Sequence, residues 1–367
     1  MTRKTAAILN VTGYAGAELA RLLHAHPGVE LACVTGRSAA GKRLPEVYPH
    51  LFAIDLPVVE AVPEDRLPDV VFSALPHGAA AEQVAPLVRA GATVVDVSAD
   101  FRLKDVATYE RTYKVTHPAP ELVADAVFGL PELHRDEIAT SRLVAVPGCH
   151  STGVILALAP LVAAGLVEPR MIADTKTGLS GAGRTLGLSV HFSEADSSVA
   201  PYGLDGHRHV PEMVQELAAL RAEGNGQRAT GEGQDATVPN DQRPTTNPLT
   251  ITFVPHYIPM VRGILSTCYA EPRAGVTATK ASLLELFREF YAGHPFVHVS
   301  ETPPATKHVL GSNYVIVHPT VAPDGRVVVA SALDNLGKGA AGAMVQCANL
   351  VLGLEEDAGL RGLGVYP

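Results

Sequence analysis

Cysteine is scarce in this 367-residue sequence, and it is never closely paired. Cys33, Cys149, Cys268 and Cys347 form no C-x-x-C pair, which excludes a zinc ribbon and a thioredoxin-type redox motif. Widely spaced thiols in a chain of this size read as free and point to a reducing, cytoplasmic compartment. Long apolar runs are also missing. The longest, residues 154–164, is too short to span a bilayer and contains Pro160, so no membrane partner is expected. Residues 1–10 lack the apolar core of a secretory signal. Positive charge is in deficit: 29 Lys and Arg stand against 38 Asp and Glu, for a net charge of −9. Nucleic-acid binding draws on a basic face, so no nucleic-acid partner is expected. An anionic small ligand needs only a few well-placed cations. Charged residues are only 18% of the chain, while Gly and Pro number 33 and 28. That mixture excludes a coiled coil or a disordered chain and suits a loop-rich α/β enzyme. Tryptophan is absent, which excludes nothing.

The length favours two domains. Residues 5–10 form a short apolar run that ends in a glycine-containing turn at 11–16, and a helical pattern follows at 17–26. Strand patterns recur at 29–35, 70–74 and 93–97, with a helix near 79–90. Val/Ile runs alternating with helices imply a parallel sheet covered on both faces. Residues 143–146 lead into Pro147-Gly148-Cys149, after which a strongly apolar helix begins. From residue 172 onward strands dominate, at 249–255, 264–270, 314–319 and 327–332, with helices at 210–222 and 280–291. The expected fold is therefore α/β: a Rossmann-type dinucleotide-binding domain plus an α+β domain with a mixed, largely antiparallel sheet. Residues 1–148 and 335–367 are assigned to the first and 149–334 to the second. A final apolar helix near 339–352 is expected to pack back on the first domain. Residues 223–248 are polar and glycine-rich and read as a flexible surface insert.

Five segments carry chemistry. In the turn Asn10-Val11-Thr12-Gly13-Tyr14-Ala15-Gly16, glycines allow close approach of a pyrophosphate to a helix N-terminus. A plain strand–helix turn is the competing reading. NAD enzymes usually place an acidic residue at the end of the second strand, but here Thr35-Gly36-Arg37-Ser38 offers none. Arg37 either pairs with the 2′-phosphate of NADP or is a lone surface Arg. Cys149 sits on a glycine turn at a helix start, where the helix N-terminus lowers a thiol pKa, so it is the candidate nucleophile. His207-Arg208-His209 supplies imidazoles for proton transfer. His-x-His also fits two metal ligands, but no further Cys/His/Asp pattern supports a metal site. The small-residue loop from Lys176 to Arg184 either lies against a cofactor or phosphate, with Arg184 as counter-charge, or is a flexible turn. The segment from Asp334 to Gly342 is a phosphate or amide contact, or a helix start capped by Asn335.

In this order, these segments resemble the N-acetyl-γ-glutamyl-phosphate reductase family of arginine biosynthesis. The resemblance runs from Gly13-Tyr14-Ala15-Gly16-Ala17-Glu18-Leu19 to Asp334-Asn335-Leu336-Gly337-Lys338-Gly339. Between them stand Leu75-Pro76-His77-Gly78, Ser98-Ala99-Asp100-Phe101-Arg102-Leu103, Pro147-Gly148-Cys149, Ser180-Gly181-Ala182-Gly183-Arg184, Gly206-His207-Arg208-His209 and the segment from Pro255 to Gly263. Three departures accompany it: Asn10 replaces the usual first glycine, His150-Ser151 follow the cysteine, and the polar insert is long. Aspartate-semialdehyde dehydrogenases carry Asn-Cys-Thr around their cysteine, and reductases of carrier-bound acyl phosphates carry Ala-Gly-Cys-Asn. Pro147-Gly148-Cys149 matches neither.

The resemblance implies an NADP(H)-dependent reductase that converts an acyl phosphate to a semialdehyde through a Cys149 thioester. It implies His209 as proton carrier and as the group keeping Cys149 ionised, with the reverse assignment to His207 open. Cofactor contacts are expected at Thr12, Gly13, Tyr14, Ala15, Gly16, Arg37, Ser38, Pro76, His77, Ser180, Gly181 and Asn335. Arg102, Arg184, His207, Arg208 and Arg262 are expected to meet the anionic substrate. A homodimer or homotetramer joined through the second sheet is expected.

Overall fold

The structure is a computed structural model that describes residues 3–63, 67–229 and 248–367. The insert expected at 223–248 lies mostly outside these. Its opening residues continue the helix Val210–Ala229, which runs past the expected end at 222.

Among the described residues, the first sheet comprises β1 (Lys4–Leu9), β2 (Val29–Thr35), β3 (Val58–Val59), β4 (Val70–Ser73), β5 (Val94–Asp96), β6 (Val127–Phe128) and β7 (Leu143–Ala145), ordered β3-β2-β1-β4-β5-β7-β6. Every neighbouring pair is parallel. The alternation of side chains along a strand, with both faces covered, explains the unbroken apolar runs at 6–9 of β1 and 70–72 of β4. On β1, Ala6 and Ile8 enter one core while Ala7 and Leu9 enter the other; on β4, Val70 and Phe72 oppose Val71 in the same way.

The second sheet comprises β8 (Val167–Thr177), β9 (Ala200–Pro201), β10 (Thr250–Tyr257), β11 (Ile264–Pro272), β12 (Val297–Val299), β13 (Val315–Val321) and β14 (Val327–Leu333), ordered β12-β13-β14-β11-β8-β10-β9. β8–β10 and β12–β13 are parallel and the other pairs antiparallel. One face packs on the helix Cys149–Ala163, whose residues from His150 to Val162 are all buried. A helix apolar all round belongs in a core. The opposite face is only partly covered, and Ile172 on β8 is 41% exposed.

The C-terminal helix Gly342–Val351 returns to the first sheet: Ala343, Met344, Val345 and Cys347 share a core with Ile8 and Phe72. It is entered through a π-helical turn, Gly337–Ala341. There Lys338 is fully buried and donates to Glu132 Oε1 and Gln346 Oε1, both at 2.6 Å. The lysine of this motif is thus a bolt between segments and not a phosphate ligand. Asn335 does not cap the helix either. Asp334 Oδ1 receives the amides of Leu336 and Gly337 at 2.8 and 3.0 Å, while Asn335 bridges Gly263 N–H and Ser180 Oγ.

Candidate active site

A cleft of about 940 Å³ lies between the carboxyl ends of the first sheet and the loops of the second domain. Such an edge is where open α/β sheets bind ligands. Thr12, Gly13, Tyr14, Ala15, Ser38, Pro76, His77, Arg102, Cys149, Ser180, Gly181, Arg184, Arg208, His209 and Asn335 all line it. Gly16, Arg37, His207 and Arg262 do not.

The first turn explains the replaced glycine. Asn10 has φ +63°, a left-handed conformation that Asn tolerates better than most residues. Its side chain holds the turn shut: Nδ2 donates to Ala74 O at 2.9 Å and Oδ1 accepts from Thr12 Oγ1 at 2.9 Å. Gly16 acts beneath the turn, because a Cβ there would fall 2.4 Å from Asn10 O. The helix Tyr14–His24 can therefore start against the strand end, with its first amides unpaired within the helix. This turn fits a dinucleotide pyrophosphate. Arg37 is exposed and outside the lining, whereas Lys42, in the bend after the short helix Arg37–Ala39, lines the cleft with Ser38. Lys42 was missed because nothing local marks it; the turn that places it is held by Lys42 N–H to Ala39 O and by Val58 N–H to Lys42 O, a partner distant in sequence.

Asp100 shapes the next loop. Its carboxylate accepts from Gly78 N–H at 2.8 Å, Ala81 N–H at 2.9 Å and Tyr109 OH at 2.7 Å. That fixes Pro76 and His77 on the cleft wall.

Cys149 opens the helix Cys149–Ala163, after Gly148 in extended conformation. Two glycines make room around it. A Cβ at 148 would lie 2.5 Å from His209 Nε2, and one at 339 would lie 2.8 Å from Cys149 Cβ. Beneath sits Glu212, buried to 1% exposure. Its Oε2 accepts from Gly148 N–H at 3.1 Å, its Oε1 pairs with Arg102 Nη1 at 3.1 Å, and His209 Nε2 stands 4.0 Å away. Arg102 also donates to Val146 O and Val97 O, at 2.8 and 2.6 Å. It is a buried strut of the Cys149 turn with one edge on the cleft.

The electrostatics differ from the sequence expectation. Burial pushes the Cys149 thiol above its usual range, and Arg102, the His150 amide and Arg208 offset this only in part. The helix start alone does not ionise it. Burial, with His207, Arg102, His150 and Arg208 close by, holds His209 well below the usual imidazole range. A neutral His209 cannot hold a thiolate by its own charge and could serve only as a proton acceptor. Its Nδ1 is buried with no hydrogen-bond partner among the described residues. His207 lies behind, its Nδ1 accepting from His209 N–H at 3.2 Å, and burial brings it down to about 4. His150 bonds Thr175 Oγ1 and Tyr202 OH, each at 2.9 Å, and burial lowers it to about 3. No group of three or more His, Cys, Asp or Glu spaced to hold a metal ion occurs among the described residues.

Arg262 stands outside the cleft. It pairs with Asp334 at 2.9 Å and Glu18 at 3.0 Å, joining β14's end to the helix Tyr14–His24. Arg208 is exposed on the lining near Cys149 and His77, and Arg184 reaches the cleft from the second domain.

This pairing of folds is that of the semialdehyde dehydrogenases. The family model described as "Semialdehyde dehydrogenase, NAD binding domain" matches residues 5–141, and "Semialdehyde dehydrogenase, dimerisation domain" matches residues 149–229 and 240–335. Solved structures agree in fold. Aspartate semialdehyde dehydrogenase II from Vibrio cholerae, complexed with ASA, gives a TM-score of 0.68 at 16% identity, covering 96% of this chain and 99% of that one. The Candida albicans enzyme, solved with NADP, gives 0.67 at 18% identity, covering 96% and 99%. Full-length relatives are much nearer in sequence. N-acetyl-gamma-glutamyl-phosphate reductases from Dehalococcoides mccartyi and Heliobacterium modesticaldum are 46% and 45% identical, covering 100% of both chains and 99% of both chains respectively. The chain belongs to the N-acetyl-γ-glutamyl-phosphate reductase family.

Proposed function

We propose that this enzyme reduces N-acetyl-L-glutamyl 5-phosphate to N-acetyl-L-glutamate 5-semialdehyde and phosphate, with NADPH, in arginine biosynthesis. Membership of the family supports the substrate. The observation that carries the chemistry is the placement of Cys149 and His209 in one cleft with the dinucleotide turn.

At rest the thiol is protonated and His209 is neutral. As Cys149 Sγ attacks the acyl carbon, its proton passes to the His209 imidazole. The C–S bond forms, the C–O bond to phosphate breaks, and phosphate leaves with the electron pair. A nicotinamide dinucleotide held at Thr12, Gly13, Tyr14 and Ala15 would supply the hydride that the thioester carbon accepts. The resulting oxyanion takes the proton back from His209. Collapse then re-forms the carbonyl and breaks the C–S bond, while the proton returns to sulfur. The thioester divides one hard step into easier ones. Glu212 fixes the Gly148 amide and Arg102, so that Sγ and imidazole keep their places through both halves.

Thr12, Gly13, Tyr14 and Ala15 would hold the pyrophosphate, and Ser38 with Lys42 the 2′-phosphate. The absence of an acidic residue after β2 favours NADP(H) over NAD(H). Arg208 is the cation placed for the acyl phosphate. The two-domain division at residue 149, with the C-terminal helix returning to the first domain, is the arrangement we adopt. The half-covered face of the second sheet suits self-association as a dimer or tetramer, in keeping with the dimerisation-domain match. A cytoplasmic location accords with four free cysteines. No helix among the described residues is long and apolar enough to cross a membrane.

The test is phosphate-dependent NADP⁺ reduction with N-acetylglutamate semialdehyde, beside aspartate semialdehyde, in wild-type and Cys149→Ala protein. Activity on the acetylated compound alone, lost in the variant, is expected. Activity confined to aspartate semialdehyde would overturn the substrate, and a fully active variant would overturn the nucleophile.

A further inference from the structure

Arg184 belongs to the second domain, yet its contacts are in the first. Its Nη1 donates to Thr12 O at 3.1 Å, and its guanidinium carbon stands 4.6 Å from the centre of the Tyr48 ring. Tyr48 OH donates to the same carbonyl at 2.6 Å. Thr12 is part of the turn that opens the helix Tyr14–His24, the place where a strand–turn–helix unit seats a pyrophosphate. The resting guanidinium is therefore parked beside the anion site, on a neutral carbonyl and an aromatic face. A phosphate oxygen is a stronger acceptor for a guanidinium than a peptide carbonyl.

The loop that carries Arg184 is anchored at one side and open beyond. Gly178 N–H donates to Gly263 O at 2.9 Å, Leu179 N–H to Met260 O at 2.9 Å and Ser180 N–H to Val261 O at 3.1 Å. After Gly183, at φ +83°, residues 184–189 are exposed, and Leu186 is 98% accessible. An anchored base, a glycine hinge and an exposed end suit a segment that changes position over a ligand.

We infer that Arg184 is a cofactor clasp and not a substrate ligand: when the dinucleotide binds, its guanidinium exchanges the Thr12 carbonyl for a pyrophosphate oxygen and draws residues 183–191 across the cleft. The inference rests on the proposed dinucleotide cofactor. It gives Arg184 and Arg208, second-domain arginines that line the cleft, separate tasks. Arg208, beside Cys149, meets the acyl phosphate. Arg184, on the first domain's turn, meets the cofactor and couples its arrival to closure.

The experiment is calorimetric titration of the full-length resting enzyme with NADP⁺, for wild type, Arg184→Gln and Arg184→Lys. The exposed position of Arg184 spares the fold, which an unchanged Tm would verify. Loss of one charge-assisted contact is expected to weaken NADP⁺ binding about tenfold or more in Arg184→Gln. Arg184→Lys should recover part of this. At saturating NADPH the KM for the acyl phosphate should stay as in wild type. Amide exchange in residues 183–191 should slow on NADP⁺ addition in wild type and not in Arg184→Gln. Unchanged NADP⁺ affinity in Arg184→Gln would overturn the clasp, above all if the acyl-phosphate KM rose instead. Wild-type enzyme that bound neither NADP⁺ nor NAD⁺ would remove the cofactor reading itself, and the clasp with it.

Discussion

On the floor of the cleft Arg102, Glu212 and His209 are 6%, 1% and 7% exposed, whereas on its rim Lys42, Arg184 and Arg208 stand in solvent. Apart from the His209 imidazole, the floor is a connected set of hydrogen bonds. Glu212 joins the Gly148 amide to Arg102, and Arg102 ties down two carbonyls. Breaking one partner there leaves a buried charge unpaired, which is costly. On the rim a long side chain loses little by moving, and an exposed contact contributes little until a charged ligand arrives. The difference separates two tasks. Covalent chemistry needs atoms fixed to fractions of an ångström, so it sits where packing is densest. Anion capture needs reach and charge, so it sits where side chains remain free to rearrange.

If this contrast holds, floor substitutions should act on kcat and on folding, and rim substitutions on KM. The largest effect is expected for His209→Asn, with kcat down about 10²- to 10⁴-fold by loss of the proton carrier. Substrate and cofactor KM should change little, as steady-state kinetics would reveal. A variant that altered KM alone would move His209 to the rim. Glu212→Gln is expected next. It leaves Arg102 buried without its counter-charge, a loss of about 3–5 kcal/mol in stability, read by denaturant unfolding, together with reduced kcat. Unchanged unfolding with normal turnover would deny that Glu212 organises the floor.

Lys42→Ala should raise the KM for NADPH about tenfold while leaving that for NADH nearly unchanged, since only the 2′-phosphate loses its partner. Equal effects on both cofactors would place Lys42 elsewhere. The subtlest expectation concerns pH. Burial raises the Cys149 thiol, so in the resting enzyme its alkylation by iodoacetamide should climb with pH through a midpoint above the ordinary thiol range. The same profile measured in Arg102→Met should shift further upward, because Arg102 favours the thiolate. A midpoint below the ordinary range would mean that the helix start outweighs burial after all.

Much of this arrangement is legible in the chain because its signals are local. Val/Ile runs separated by helical patterns state a parallel sheet, and residues 10–16 and 147–149 each state a turn before a helix. Asn10 could be flagged as unusual from sequence. Its left-handed backbone and its bond to Ala74 O, which make the replacement workable, appear only when β4 lies beside β1. Tertiary packing placed several expected cleft residues elsewhere. Arg262 is engaged by Asp334 and Glu18, His207 lies behind His209, and Arg37 yields the cleft to Lys42. Each depends on packing that residue order does not mark, such as the Arg262 partners Glu18 and Asp334.

The sequence by itself pointed to most of the elements, to Cys149 as the candidate nucleophile and to the glycine before it, since turn chemistry and periodicity act over a few residues. Only the tertiary structure decided the protonation of the site. Whether Cys149 rests as thiol or thiolate, and His209 as acceptor or cation, depends on how much water the folded chain removes from around them. It depends also on which charges, such as Arg102 and Glu212, the fold brings alongside.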